Sequence, residues 1–176
     1  NGRIGSNVIG FIPGSTKSPK DKYIVIGAHY DHLGQLNRIT YPGADSNASG
    51  TVALTSLAEM FSIIKTLGKS YNKSIIFVAF DARELSMAGS YAFWEMIKSG
   101  ELNDPVTGKT ISPKDISLMV NIDQIGSSLA PLNKGREDYM IMLGNPNLKR
   151  SYNDMLKVCN DSYDIGLDLG FTYYGS

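Results

Sequence analysis

The sequence predicts an α/β domain with a mixed, mostly parallel central sheet and helices on both faces. Three observations lead there. The runs Tyr23–Ala28 (YIVIGA), Ser74–Phe80 (SIIFVAF) and Ile116–Ile122 (ISLMVNI) are apolar without alternation, as strands covered on both faces are. Between the first two lies Ala48–Leu67, where Val52, Leu54, Leu57, Ala58, Phe61 and Ile64 recur at helical spacing. Strands alternating with helices make a layered α/β domain. Finally, each apolar run ends in polar residues able to do chemistry, and open α/β sheets bind their ligands at the carboxyl ends of their strands.

In chain order, Asn7–Ile12 reads as a strand closed by Pro13-Gly14, and the polar stretch Ser15–Lys22 as a turn. Together they predict an antiparallel pair with Tyr23–Ala28. Leu33–Pro42 is expected to be a loop. Asn47 or Ser49 is placed to cap the first helix and Gly68 to end it. Ser86–Ser99 predicts a second helix, with Met87, Tyr91, Trp94 and Ile97 inward and Gly100 as its stop. Leu102–Pro113 is rich in turn residues. Tyr139–Leu143 reads as a fourth strand. Asn145-Pro146 supplies a cap and first-turn proline for a helix reaching about Asn160, with Leu148, Tyr152, Met155, Leu156 and Cys159 inward. Asp164–Ser176 is rich in glycine and aromatic residues. No repeat or linker interrupts the chain, and the expectation is one domain over residues 1–176.

Composition narrows the function. The 176 residues carry 42% hydrophobic and 19% charged side chains, values of a globular domain. The formal net charge is +0, which argues against a nucleic-acid or anionic-membrane footprint. One cysteine, Cys159, excludes an internal disulfide and a cysteine-based zinc cluster, and it reads as a small apolar filler on a helix. No apolar run reaches membrane-spanning length.

The two histidines, His29 and His32, stand within four residues of each other at the end of the first apolar run, with Asp31 between them. A metal-ligating histidine usually has its other ring nitrogen held by a carboxylate, so His29 with Asp31 has the pattern of a ligand and its orienting partner. A polar strand exit would look the same. Glu84 follows the second run and Asp123 the third, while the loop Gly43–Gly50 adds Asp45. Histidine and carboxylates on one rim of one sheet form the nitrogen- and oxygen-rich donor set of a zinc site, and are equally what solvated strand ends present.

Four segments in this order and spacing, VIGAHYDHLG, GADSNASGTVALTSLAEMF, SIIFVAFDARELSMAGS and LMVNIDQIG, resemble the co-catalytic zinc aminopeptidase family. That family includes bacterial leucine-type aminopeptidases, glutamate carboxypeptidase II, glutaminyl cyclase and the transferrin receptor. The resemblance runs from about Asn7 to Ile125 and continues more loosely to Ser176. It implies a zinc exopeptidase fold, two zinc ions, and a peptide or protein N-terminus as partner. It also implies an extracytoplasmic address. In the site so implied, His29 and Asp123 bind one zinc, Asp31 orients His29, and Glu84 binds the other zinc.

Two implied positions depart. The family's bridging aspartate corresponds to Ser46, and its general-base glutamate to Arg83. The family's last metal-binding histidine has no counterpart before Tyr174-Gly175-Ser176, so the chain is expected to lack that C-terminal segment. Asp45 and Asp81 are each displaced from the position they would have to fill. Arginine stays protonated and cannot take a proton from water, and loss of a general base costs about 10²- to 10⁴-fold in rate. The expectation is therefore a family domain with impaired or absent hydrolysis and weak or absent zinc. Two alternatives remain: an active aminopeptidase using replacement ligands, and a glutaminyl cyclase-like acyl transferase. The latter needs the same two missing carboxylates. A guanidinium at position 83 can instead bridge Glu84, Asp123 or Asp31.

Overall fold

In a computed structural model of the chain, the described residues are 4–15, 22–127, 139–144 and 150–173. The expected turn over 16–21, the Asn145-Pro146 helix start, Leu148 and the chain end at 174–176 lie outside them. The chain forms two compact units, Asn1–Gly126 and Ser127–Ser176.

The first unit is built on a four-stranded sheet. Its strands are β1 (Val8–Ile12), β2 (Tyr23–His29), β5 (Ser74–Phe80) and β6 (Ile116–Asn121), in the order β1-β5-β2-β6. β2 runs parallel to both β5 and β6, and β1 is antiparallel to β5. This corrects the expected β1–β2 pairing: β5 inserts between them. Each of β2 and β5 thereby has a partner on both edges, which suits their fully apolar composition.

Alternation along β5 builds a core on each face. Ile76, Val78 and Phe80 point to one side with Tyr23, Val25, Phe93, Ile97 and Ile111. Ile75 and Phe77 point to the other with Ile12, Ala28 and Leu54. The second core is covered by α1 (Gly50–Thr66), through Leu54 and the partly buried Leu57, Ala58 and Phe61. The first is covered by α2 (Ala88–Ser99), through Phe93 and Ile97. Helices on both faces of a mixed sheet are the architecture expected from the sequence.

Several details differ. Val52 and Ile64 of α1 are exposed. In α2 the inward stripe is Gly89, Phe93 and Ile97, and Met87, Tyr91 and Trp94 are exposed. Both stripes share Ile97, so spacing alone does not choose between them. The helix is set by Gly89, whose missing Cβ lets the backbone close on the Asp81 carbonyl. Among the described residues β6 stands at the end of this four-stranded sheet, and its Met119 and Val120 are exposed. The expected loop before α1 is a hairpin, β3 (Gly34–Leu36) and β4 (Ile39–Tyr41). Its turn residues Asn37 and Arg38 both have positive φ, 52° and 63°, as a two-residue hairpin turn that follows strand twist requires.

The second unit is a strand–helix–strand crossover. β7 (Tyr139–Gly144) and β8 (Asp168–Tyr173) pair in parallel, joined through α3 (Arg150–Ser162). β8 was not legible in the glycine- and aromatic-rich sequence.

Candidate functional site

The site lies at the carboxyl ends of β2, β5 and β6 and at the turn leading into α1. Its foundation is Asn47, which is 2% exposed. Its Nδ2 donates to the carbonyls of His29 (3.2 Å) and Ile122 (2.9 Å). Its Oδ1 accepts from the N–H groups of Gly50 (3.2 Å) and Gln124 (3.1 Å). Two donor hydrogens and two acceptor lone pairs are the whole capacity of an amide, and all are used. One side chain thus ties the end of β2, the start of α1 and the exit of β6 together. Thr51 Oγ1 adds a second bond to the His29 carbonyl at 3.0 Å. A Cβ at Gly50 would stand 2.5 Å from Asn47 Oδ1 and 2.7 Å from the Ile122 carbonyl, so the clamp needs glycine there. The sequence offered Asn47 only as a helix cap. It does cap, through Gly50, but its larger role spans 75 residues of chain.

A second amide, Asn7, serves the neighbouring corner. Its Nδ2 donates to the Gly89 carbonyl (2.8 Å), and its Oδ1 accepts from Asp81 N–H (3.0 Å). Asp81 is a structural residue: it accepts from the N–H groups of Ser6 at 2.8 Å and Ala82 at 2.7 Å. The Ser6 N–H bond above all lowers its carboxyl pKa, with burial opposing and Ala82 and Tyr30 adding to the effect.

On this frame, His29 is 3% exposed at the end of β2. Its Nδ1 lies 3.1 Å from the Asp31 carbonyl and 3.4 Å from Asp31 Oδ1. The carbonyl is the closer acceptor, which assigns the ring proton to Nδ1. The Asp31 carboxylate turns elsewhere, its Oδ2 accepting the Glu84 N–H at 3.0 Å. His29 Nε2 is left buried with no hydrogen-bond partner, 3.4 Å from Asp123 Oδ1. A lone pair facing a carboxylate oxygen is unfavourable without a cation between or beside them. Two zinc ligands about 2.0–2.1 Å from the ion at a tetrahedral angle stand about 3.3 Å apart. His29 and Asp123 therefore have the spacing of two ligands on one metal.

The rest does not complete a metal pair. Glu84 Oε1 is 3.3 Å from Arg83 Nη1 and 3.7 Å from His32 Nδ1. The same guanidinium places Nη2 3.9 Å from Asp123 Oδ2. Ser46, half-buried in the turn Ala44–Ser49, offers a neutral hydroxyl where a bridging carboxylate is implied. Asp45 is committed to the fold, its Oδ1 accepting from Gly126 N–H at 2.7 Å and Ser49 Oγ at 3.3 Å. Among the described residues, no three histidine, cysteine, aspartate or glutamate side chains converge to hold one ion. Two zinc ions do not fit this set of residues. His29 with Asp123 could contribute two donors to one.

At the opposite end of β2 is a second polar cluster, which the sequence did not reveal. Asp104, 1% exposed, accepts from Tyr23 OH at 2.6 Å and Lys22 Nζ at 2.8 Å. It also accepts from the N–H groups of Val106 (2.9 Å) and Thr107 (3.0 Å). Burial pushes its carboxyl pKa up, but these donors together outweigh burial and hold it well below the usual carboxylate range. Burial, followed by the bond to Asp104, pushes the Tyr23 hydroxyl up to about 12.

Comparison with known proteins gives the family and the fold. The model of "Peptidase family M28" matches residues 7–159. Leucine aminopeptidase 1 of Ajellomyces capsulatus is 29% identical over 136 residues, covering 75% of this chain and 31% of that protein. Aminopeptidase YwaD of Bacillus subtilis is 29% identical over 127 residues, covering 72% of this chain and 23% of its own length. Human transferrin receptor protein 2 is 33% identical over 90 residues, or 51% of this chain and 10% of the receptor. The crystal structure of LapA from Legionella superposes with a TM-score of 0.67 at 20% identity, covering 96% of this chain and 39% of that one. LapB from Legionella pneumophila gives 0.62 at 20% identity, covering 96% and 38%. This chain thus spans about a third or less of the length of the curated relatives it matches, and its likeness to the two solved structures is one of fold. The matched family is usually zinc-dependent. By a family match that takes in β1 to α3, the chain belongs to peptidase family M28.

Proposed function

We propose that this domain recognises peptide or protein N-termini on an aminopeptidase scaffold whose two-metal hydrolysis is lost or strongly impaired. The observation that carries the reading is the pair Ser46 and Arg83. A neutral hydroxyl stands where the family resemblance puts the metal-bridging carboxylate, and a permanent cation where it puts the base. The surrounding frame supports it. Asn47 saturates its hydrogen bonds beneath the site and ties the ends of β2 and β6 to the start of α1, which leaves a framed rim of strand ends for a peptide end to meet. An address outside the cytoplasm belongs to the same reading. No helix among the described residues is long and apolar enough to cross a membrane.

The test is turnover of aminoacyl anilides with and without chelator, beside binding of short peptides with free or acetylated N-termini. The reading expects binding that needs the free amine and turnover at least about 10²-fold below an intact relative. Chelator-sensitive turnover at the relative's rate would overturn it. One observation favours a second reading, an aminopeptidase working with replacement ligands: the 3.4 Å separation of His29 Nε2 and Asp123 Oδ1 suits a retained metal.

A further inference from the structure

The polar side chains at the mouth form a chain in which two carboxylates alternate with two imidazoles and one guanidinium. His29 Nε2 faces Asp123 Oδ1 at 3.4 Å, and the other Asp123 oxygen faces Arg83 Nη2 at 3.9 Å. Arg83 Nη1 faces Glu84 Oε1 at 3.3 Å, and the same oxygen faces His32 Nδ1 at 3.7 Å. The five residues come from the ends of three strands. Each carboxylate is flanked by one histidine and by the guanidinium. Without Arg83, Glu84 and Asp123 would share a mouth with Asp31 and no obligatory cation, and like charges this close raise each other's energy. A planar guanidinium suits two carboxylates better than an ammonium does, because its forked donors can point at both.

We propose that Arg83 is a resident counter-ion, bridging Glu84 and Asp123 and competing with divalent cations for them. Every gap in the chain exceeds the 2.7–3.0 Å of a good charge-assisted bond. The bridge is therefore loose enough to be displaced. The Arg83 side chain is 41% exposed, so it can leave for water without crossing the core. The two buried, unpartnered ring nitrogens, His29 Nε2 and His32 Nδ1, flank the two carboxylates and are the neutral donors a divalent ion would take up next. Arg83 thus stabilises the metal-free site and lowers its affinity for zinc-like ions, and the two effects have one cause. The inference uses the residues of the proposed function but stands apart from it, since its readouts are stability and metal affinity rather than turnover.

The experiment compares the full chain with its R83Q and R83M variants, using zinc chloride alone as the probe. Thermal midpoints are measured in chelator and across a zinc titration, with zinc affinity from calorimetry. In chelator, each variant is expected to melt a few degrees below the parent. Each is expected to bind zinc about tenfold or more tightly than the parent, and to regain its lost melting temperature as zinc is added. Equal melting temperatures in chelator, together with equal zinc affinities, would overturn the inference. So would tight zinc binding by the parent that neither variant improves. R83M keeps an apolar stem of similar length, so if R83Q does not fold, R83M decides by the same two readouts.

Discussion

The floor of the site, around Asn47, and its mouth, around Arg83, are made from the same strand ends and differ in how they treat polar atoms. At the floor, Asn47 uses every donor and acceptor it has at 2.9–3.2 Å. At the mouth, His29 Nε2, Asp31 Oδ1 and His32 Nδ1 are buried without hydrogen-bond partners, and the ion pairs stand at 3.3–3.9 Å. A saturated network fixes one geometry. An unsaturated one leaves room for something to bind, and each unmet buried group costs stability. On the function proposed above, the saturated side is the family's frame and the unsaturated side is where its chemistry would have changed. Ser46 and Asn47 are adjacent in sequence, one on each side of that division.

The largest expected effect breaks the floor. Asn47→Ala strands two carbonyls and two N–H groups, and is expected to cost roughly 3–5 kcal/mol in urea denaturation. A cost below about 1 kcal/mol would mean the clamp does not hold the strand ends. Next is the cluster at the far end of β2. Asp104→Ala leaves Lys22, Tyr23 and two N–H groups without their acceptor, and should cost about 2–4 kcal/mol while leaving peptide binding at the site unchanged. A matching loss of peptide binding would show that the two ends are not independent.

The same cluster sets a pH dependence. The folded pKa of Asp104 is depressed, so the unfolded chain binds more protons in acid. Its contribution is fully present above its unfolded value of about 3.9 and is lost as pH falls below that. Tyr23 is raised to about 12, so its contribution holds below its unfolded value of about 10 and is lost as pH climbs toward 12. Stability curves against pH for Asp104→Asn should be flatter at both ends than those of the parent. The smallest effect belongs to the mouth. Removing the half-exposed Arg83 should change unfolding free energy by about 1 kcal/mol or less, because exposed ion pairs contribute little. A loss as large as that of Asn47→Ala would erase the contrast between mouth and floor.

Much of the fold was legible because burial on both faces leaves a plain signature. β2 and β5 are uninterrupted apolar runs, and both were found with nearly their final bounds. β6 has the same composition yet stands at the end of the described four-stranded sheet, and a run of apolar residues does not say which neighbour covers it. The β1 pairing was misread because proximity in sequence favoured β2, whereas the crossover through α1 brought β5 between them. In α2, a stripe through Met87, Tyr91 and Trp94 and one through Gly89 and Phe93 both include Ile97, and the choice rested on the close approach of Gly89 to Asp81. At the site, the residues that end strands were legible as donors. Asn47 and Asp104 were not, because a saturated amide and a buried carboxylate take their roles from partners some 75 to 82 residues away.

The central claim is that the frame persists without the two-metal chemistry, and bound zinc tests it most directly. Elemental analysis of the chain after incubation with zinc and desalting should return well under two zinc ions per chain, with no change in the fold on adding chelator. Two tightly held ions per chain, with a fold that melts when they are removed, would contradict the account, because Ser46 and Arg83 would then have left the metal pair intact.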